Sequence, residues 1–141
     1  MEERLTEELL DELLSAPDPT AYLSEHEAEG RVLSDYLNEL LGKKGLKRRT
    51  VVRHAHIDDT YGYLIFTGQR RHPSRDIVLQ LAFAMGLTLR ETDRLLQAAG
   101  SSRLYCKDRR DAIVIFCLDR GLSLEQTNQS LYDLNEPTLG S

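Results

Sequence analysis

The sequence predicts an all-α protein, and three observations carry that prediction. Every convincing apolar periodicity has the three- and four-residue spacing of a helix. The breaks between periodic segments read as helix caps, with Ser, Thr or Asp before a helix and Gly after it. Aromatic residues make up only 6% of the chain and tryptophan is absent, which argues against a large β-sandwich. At 141 residues the chain holds one domain, or one domain with a small extension.

The elements follow in order. Across residues 5–14, Leu5, Leu9, Leu10, Leu13 and Leu14 line one face, with acids on the other. The stretch SAPDP (15–19) breaks that helix, and Asp18-Pro19 can start a short helix carrying Tyr22 and Leu23. EHEAEG (25–30) reads as a linker. In SDYLNELLGKKG, Ser34 is the expected N-cap, Leu37, Leu40 and Leu41 the inner face, and the glycine region the stop. LKRRTVVRHAHI then turns Val51, Val52 and Ala55 inward. Asp58 can cap the next helix, expected over 58–67 with Tyr61, Leu64 and Ile65, before Gly68. RRHPSRD is a polar loop whose Ser74 can cap a helix bearing Ile77, Val78, Leu81 and Ala82 and ending at Gly86. Thr88 to Glu91 is a capping box for a further helix with Leu95, Leu96 and Ala99 before Gly100.

The tail repeats this unit. DIVLQLAFAMGLTLRETDRLL (76–96) aligns without gaps on DAIVIFCLDRGLSLEQTNQSL (111–131), with Asp76/Asp111, Gly86/Gly121, Leu87/Leu122, Leu89/Leu124, Thr92/Thr127 and Leu96/Leu131 identical. Two copies are too few for a free-standing solenoid, so the second hairpin is expected to extend the core of the first. Shared ancestry and a common way of capping a hairpin explain the match equally well.

Charge is divided unevenly. The net is −5, yet residues 1–30 hold ten acids against Arg4, whereas residues 43–75 hold nine bases against Asp58 and Asp59. Such a split points to a polyanion-facing patch beside an acidic arm, and the arm could fold back on the patch as a mimic of DNA. Other classes are disfavoured. No apolar run approaches the roughly 20 residues of a membrane span, and the acidic N-terminus is no signal peptide, so a cytoplasmic protein is expected. Cys106 and Cys117 are too few for a disulfide framework; both are expected reduced, with Cys117 in the core. His54, His56 and His72 lack partners at metal-ligand spacing. No Gly-rich phosphate loop, nucleophile elbow or HExxH motif occurs, so neither catalysis nor a cofactor is expected.

The segments SDYLNELLGKKGL, TVVRHAHIDDTYGYLIFTGQRRHPSRD and LAFAMGLTLRETDRLLQAAG, taken together, resemble the XRE (Cro/CI-type, lambda-repressor-like) helix-turn-helix family over residues 34–100. The resemblance implies a five-helix domain at 31–100, flanked by an acidic helical extension (1–30) and an extra C-terminal helical hairpin packed on it (101–141). It implies a transcriptional regulator that binds double-stranded DNA. By position, Asp59, Thr60 and Tyr63 would face base edges in the major groove, while Arg48, Arg49, Thr67, Gln69, Arg70 and Arg71 would meet phosphates. A homodimer is expected, through the 5–14 stripe or the hairpin 111–134, although either stripe could instead complete the monomer's own core.

Three departures stand out. His56 replaces the glycine usual in the turn, which forces a choice of positive φ at some cost. Gly62 stands mid-helix, at about 1 kcal/mol against alanine, and suggests close backbone packing or room for Tyr61 and Tyr63. Asp58 reads as a cap, but Asp59 can accept from cytosine N4, pair with Arg53 or Arg70, or repel phosphates. Tyr61 is expected in the core and Tyr63 outside, and Arg75 either binds phosphate or is solvated. The rival function is a non-catalytic adaptor that has lost DNA binding and works through residues 1–30 or 111–134.

Overall fold

The protein is described here from a computed structural model covering residues 6–20 and 32–140. The expectations for Leu5, Tyr22, Leu23 and the 25–30 linker lie outside these residues, as does the side chain of Leu9. The chain divides into two units, residues 1–31 and 32–141. Among the described residues every regular element is a helix and none is a strand. Among the described residues no helix is long and apolar enough to cross a membrane.

The first unit contains α1 (Thr6–Ser15), on which Leu10, Leu13 and Leu14 are exposed. Helical geometry resumes at Pro19 and Thr20, where Asp18-Pro19 supplies the start.

The second unit opens with α2 (Leu33–Lys44). Its N-cap is Val32, without a side-chain bond, rather than Ser34. Leu33 is already helical and buried, so Ser34 falls inside the first turn and its carbonyl takes a hydrogen bond from Asn38 at 2.8 Å. Gly45, at φ 65°, stops the helix in the left-handed conformation that glycine adopts at least cost. Then come α3 (Arg48–His54), α4 (Asp59–Phe66), α5 (Arg75–Met85) and α6 (Leu89–Ala98). Asp58 and Ser74 cap α4 and α5, and Thr88 with Glu91 forms the expected capping box on α6.

Helix α5 is the centre of the core. Val78 to Phe83 and Met85 are all buried, because α3, α6 and the last helix of the chain surround it. Leu37 and Leu40 of α2, Val51 and Val52 of α3, Ile65 of α4 and Leu95 and Leu96 of α6 complete the cluster. Burying a leucine or valine of this kind contributes about 1.5–3 kcal/mol each.

The C-terminal hairpin, α7 (Arg109–Asp119) and α8 (Leu124–Asp133), adds Val114, Cys117, Leu118, Leu124 and Leu131 to the same cluster. Its apolar stripe therefore completes the monomer's own core. Cys117 is a buried free thiol and Cys106 an exposed one.

The structural repeat extends beyond the aligned stretches 76–96 and 111–131, to ends marked by the identical pairs Arg75/Arg110 and Leu104/Leu139. Thr92 and Thr127 are both fully buried, and each hydroxyl donates to the carbonyl of its helix cap at 2.8 Å. The Leu104 amide donates to Asp93 just as the Leu139 amide donates to Asn128. Arg75 makes a two-pronged bridge to Asp111 and also holds the carbonyls of Ser102 and Arg103. Arg110 does the same to Asp76, Pro137 and Thr138. All these pairs keep the offset of 35, so residues 75–104 and 110–139 are two copies of one module. Each arginine reaches across to the aspartate of the other copy, and α5 meets α8 where α6 meets α7. That reciprocity is the signature of a two-fold contact, here made within one chain.

Candidate nucleic-acid interface

The surface to be explained is built on the α3–turn–α4 segment. Four residues connect the helices. Ala55 is fully buried and its carbonyl accepts from Gln80 of α5 at 2.8 Å, which pins the turn from below. His56 takes φ 57°, the left-handed conformation the turn demands, at a cost of about 1 kcal/mol for a residue with a Cβ. Ile57 is buried, and the Asp58 carboxylate accepts from the Tyr61 amide at 3.1 Å. Both His56 and Asp58 thus settle as the sequence suggests.

Gly62 is explained by the crossing of the two helices. A Cβ there would lie 2.6 Å from both methyl carbons of Val52. Glycine lets α4 sit directly on α3, and Asn38 of α2 fixes the other end of α4 by donating to the Phe66 carbonyl at 2.9 Å. With its inner side clamped in this way, α4 turns Asp59, Thr60 and Tyr63 outward, all exposed. Tyr61 is half-buried against the core instead.

Asp59 pairs with neither Arg53 nor Arg70, nor with any other described residue. Tyr63 is held: the Arg48 guanidinium lies over its ring, 5.0 Å from the centroid. Arg70 covers the Tyr61 ring at 5.4 Å. Stacks of this kind at the surface contribute about 0.5–1 kcal/mol and fix the planes of both partners.

The nine bases of residues 43–75 separate into two groups. Lys43 and Lys44 of α2 reach Glu91 of α6 at 3.8 and 3.2 Å. Burial pushes the Glu91 carboxyl up, but the Thr88 amide and Lys44 outweigh it and hold the group below its ordinary value. Arg75 belongs to the two-fold clasp at 2.7 Å from Asp111, so it is neither solvated nor free for a phosphate. The other six, Lys47, Arg48, Arg49, Arg53, Arg70 and Arg71, are exposed and form no ion pair with a described residue. Lys47, Arg48 and Arg49 lie at the start of α3, Arg53 in its last turn, and Arg70 and Arg71 in the segment after α4.

That following segment is partly committed. The Thr67 hydroxyl donates to the Tyr63 carbonyl at 2.8 Å and accepts from Gln69 at 3.3 Å. The Gln69 and Arg70 amides both donate to the Leu64 carbonyl, so this backbone is turned inward. What it presents outward is the rest of the Gln69 amide, the Arg70 guanidinium edge and Arg71.

Histidines join the second copy of the hairpin and the loop to this surface. His56 Nε2 lies 2.8 Å from Glu125 at the start of α8, and this contact holds the Glu125 carboxyl below its ordinary value. His72 Nδ1 is 3.0 Å from the Ala99 carbonyl. Among the described residues no group of three or more His, Cys, Asp or Glu is placed to hold a metal ion. Sequence reasoning missed Gln80, Asn38, His72 and Glu125 as supports; only Gln80, a polar residue at a core position of the α5 pattern, left a legible signal.

Comparison of the chain with protein-family models, with curated proteins and with solved structures gave no match.

Proposed function

We propose that residues 34–100 form a lambda-repressor-like helix-turn-helix domain of the XRE kind, and that the protein is a sequence-specific, DNA-binding transcriptional regulator. One observation carries this reading: a helix with a rigidly clamped inner side presents Asp59, Thr60 and Tyr63 outward between two groups of unpaired arginines. An α-helix fits the major groove, and side chains near its N-terminal end reach base edges there.

The roles divide by chemistry. Asp59, Thr60 and Tyr63 read base edges. Arg48, Arg49, Arg70 and Arg71, with Thr67 and Gln69, set register on the backbone, where each contact is electrostatic and sequence-independent. The buried Gln80–Ala55 bond and the Gly62 crossing hold the readers to the scaffold. Since one such module binds weakly, a homodimer on a two-fold-related site would multiply its affinity. Exposed apolar side chains that could serve pairing lie on α1, as Leu10, Leu13 and Leu14, and on the hairpin, as Phe116, Tyr132 and Leu134.

Enrichment of random duplex DNA on the full chain tests the reading. Recovery of a defined site, with the Arg49→Ala and Arg71→Ala variants binding it more weakly, supports a regulator. Failure to enrich any site, with equal weak binding to all duplexes, would exclude it.

A further inference from the structure

On the reading above, the outward face of α4 also specifies which base is preferred. It carries no Arg, Lys, Asn or Gln: its exposed residues are Asp59, Thr60 and Tyr63. The usual two-pronged contacts to guanine or adenine are therefore missing from this helix. Thr60 and Tyr63 offer hydroxyls, which donate or accept and discriminate little. Asp59 is different. An ionised carboxylate is an acceptor only, and no described residue satisfies it.

Among the major-groove edges, guanine shows two acceptors, thymine an acceptor and a methyl group, and adenine a donor beside the N7 acceptor. A carboxylate approaching any of these meets a lone pair or loses its partner. Cytosine presents the N4 amino donor with no acceptor beside it on the same base.

We infer that Asp59 is the specificity-determining residue of this surface and selects cytosine, its carboxylate accepting from N4–H. The neighbouring features fit that role. Asp58 supplies the helix cap, so Asp59 serves α4 only through its charge in the first turn and its carboxylate oxygens stay available. The four arginines proposed to grip phosphates offset the repulsion one carboxylate exerts on the backbone. Arg48 fixes the ring of Tyr63 one turn along the same face of α4.

Enrichment from one random duplex pool, run in parallel on the full-length wild type, Asp59→Asn and Asp59→Ala, tests this. All three proteins should fold, the two variants melting at most slightly lower, since Asp59 is exposed, pairs with no described residue and contributes only its first-turn charge. The wild type should recover a site with cytosine at one position per half-site, preferred by about tenfold. Asp59→Asn should keep the rest of the site and change that position to adenine, whose N6 and N7 suit a carboxamide. Asp59→Ala should keep the rest and accept any base there.

If all three enrich the same base at every position, DNA binding stands and Asp59 is no reader. If only the variants enrich a site, Asp59 excludes DNA and the inference fails with wild-type binding. If none does, the regulator reading fails and takes this inference with it.

Discussion

Gly62→Ala is the most informative single change in the scaffold. In an isolated helix it would stabilise, because alanine gains about 1 kcal/mol over glycine in helix propensity. Here the new methyl would stand 2.6 Å from both Val52 methyl carbons, about 1 Å inside the ordinary contact distance of 3.5–4.0 Å. Val52 cannot step aside. Its Cβ is itself 3.1 Å away, and a branched side chain on a helix has one strongly preferred rotamer. The helices must part, and overpacking of this kind costs about 1–3 kcal/mol. The net expectation is a loss of up to about 2 kcal/mol, read from urea midpoints at constant slope.

A cycle with Val52→Ala isolates the contact. That change alone should cost about 2 kcal/mol, from two buried methyl groups and a small cavity. With the methyls gone the alanine at 62 fits, so the double variant should be no worse than Val52→Ala and the coupling should reach about 1–3 kcal/mol. Stabilisation by Gly62→Ala alone, with no coupling, would refute the close α3–α4 crossing and the clamping of α4 with it.

Further outcomes follow from the same geometry. Asp111→Asn removes the charge that satisfies the partly buried Arg75, and should cost about 2–3 kcal/mol. The exchange Arg75→Asp with Asp111→Arg should recover about half of the loss of either change alone, which thermal melts would show. Burial pushes the Asp111 carboxyl up, but Arg75 and the Tyr105 amide outweigh it and hold it low, as the Thr88 amide and Lys44 do for Glu91. Folded-state values below the unfolded ones mean that this stability is complete above the ordinary carboxylate pKa of about 4 and is lost as pH falls through the lowered values. Urea midpoints should accordingly fall below pH 4, and fall less in Asp111→Asn. Leu81 and Phe116 occupy matching places in the two copies, yet one is fully buried and the other 53% exposed. Leu81→Ala should therefore cost about 3 kcal/mol, whereas Phe116→Ser should cost no more than about 1 kcal/mol, chiefly the stack of Arg120 on its ring at 4.4 Å.

Much of this was legible in the sequence. Helix periodicity, the Asp58 and Ser74 caps and the Thr88–Glu91 box are local features, encoded within a few residues of where they act. The unusual His56 and Gly62 were legible as departures, because a left-handed turn and a mid-helix glycine each demand a tertiary reason. Long-range pairing was not. Nothing near Arg75 in the chain marks Asp111 as its partner, and between Gly100 and Leu104 the module is matched by hydrogen bonds to backbone atoms, with Leu104/Leu139 the one identical pair there. Lys43 and Lys44 counted toward the basic patch for the same reason: Glu91 meets them only once α6 packs on α2.

The regulator reading is tested most directly by titrating the enriched duplex with the full chain over a range of salt concentrations. Four arginines, Arg48, Arg49, Arg70 and Arg71, are assigned to phosphates in each protomer. At about 0.9 counterion released per contact, the logarithm of the association constant should fall with that of salt at a slope of about −3 to −4 per protomer. Arg49→Ala and Arg71→Ala should each lower the steepness by about 1 while leaving the preferred sequence unchanged. A slope near zero, or one that neither variant alters, would contradict the assignment of this face to DNA.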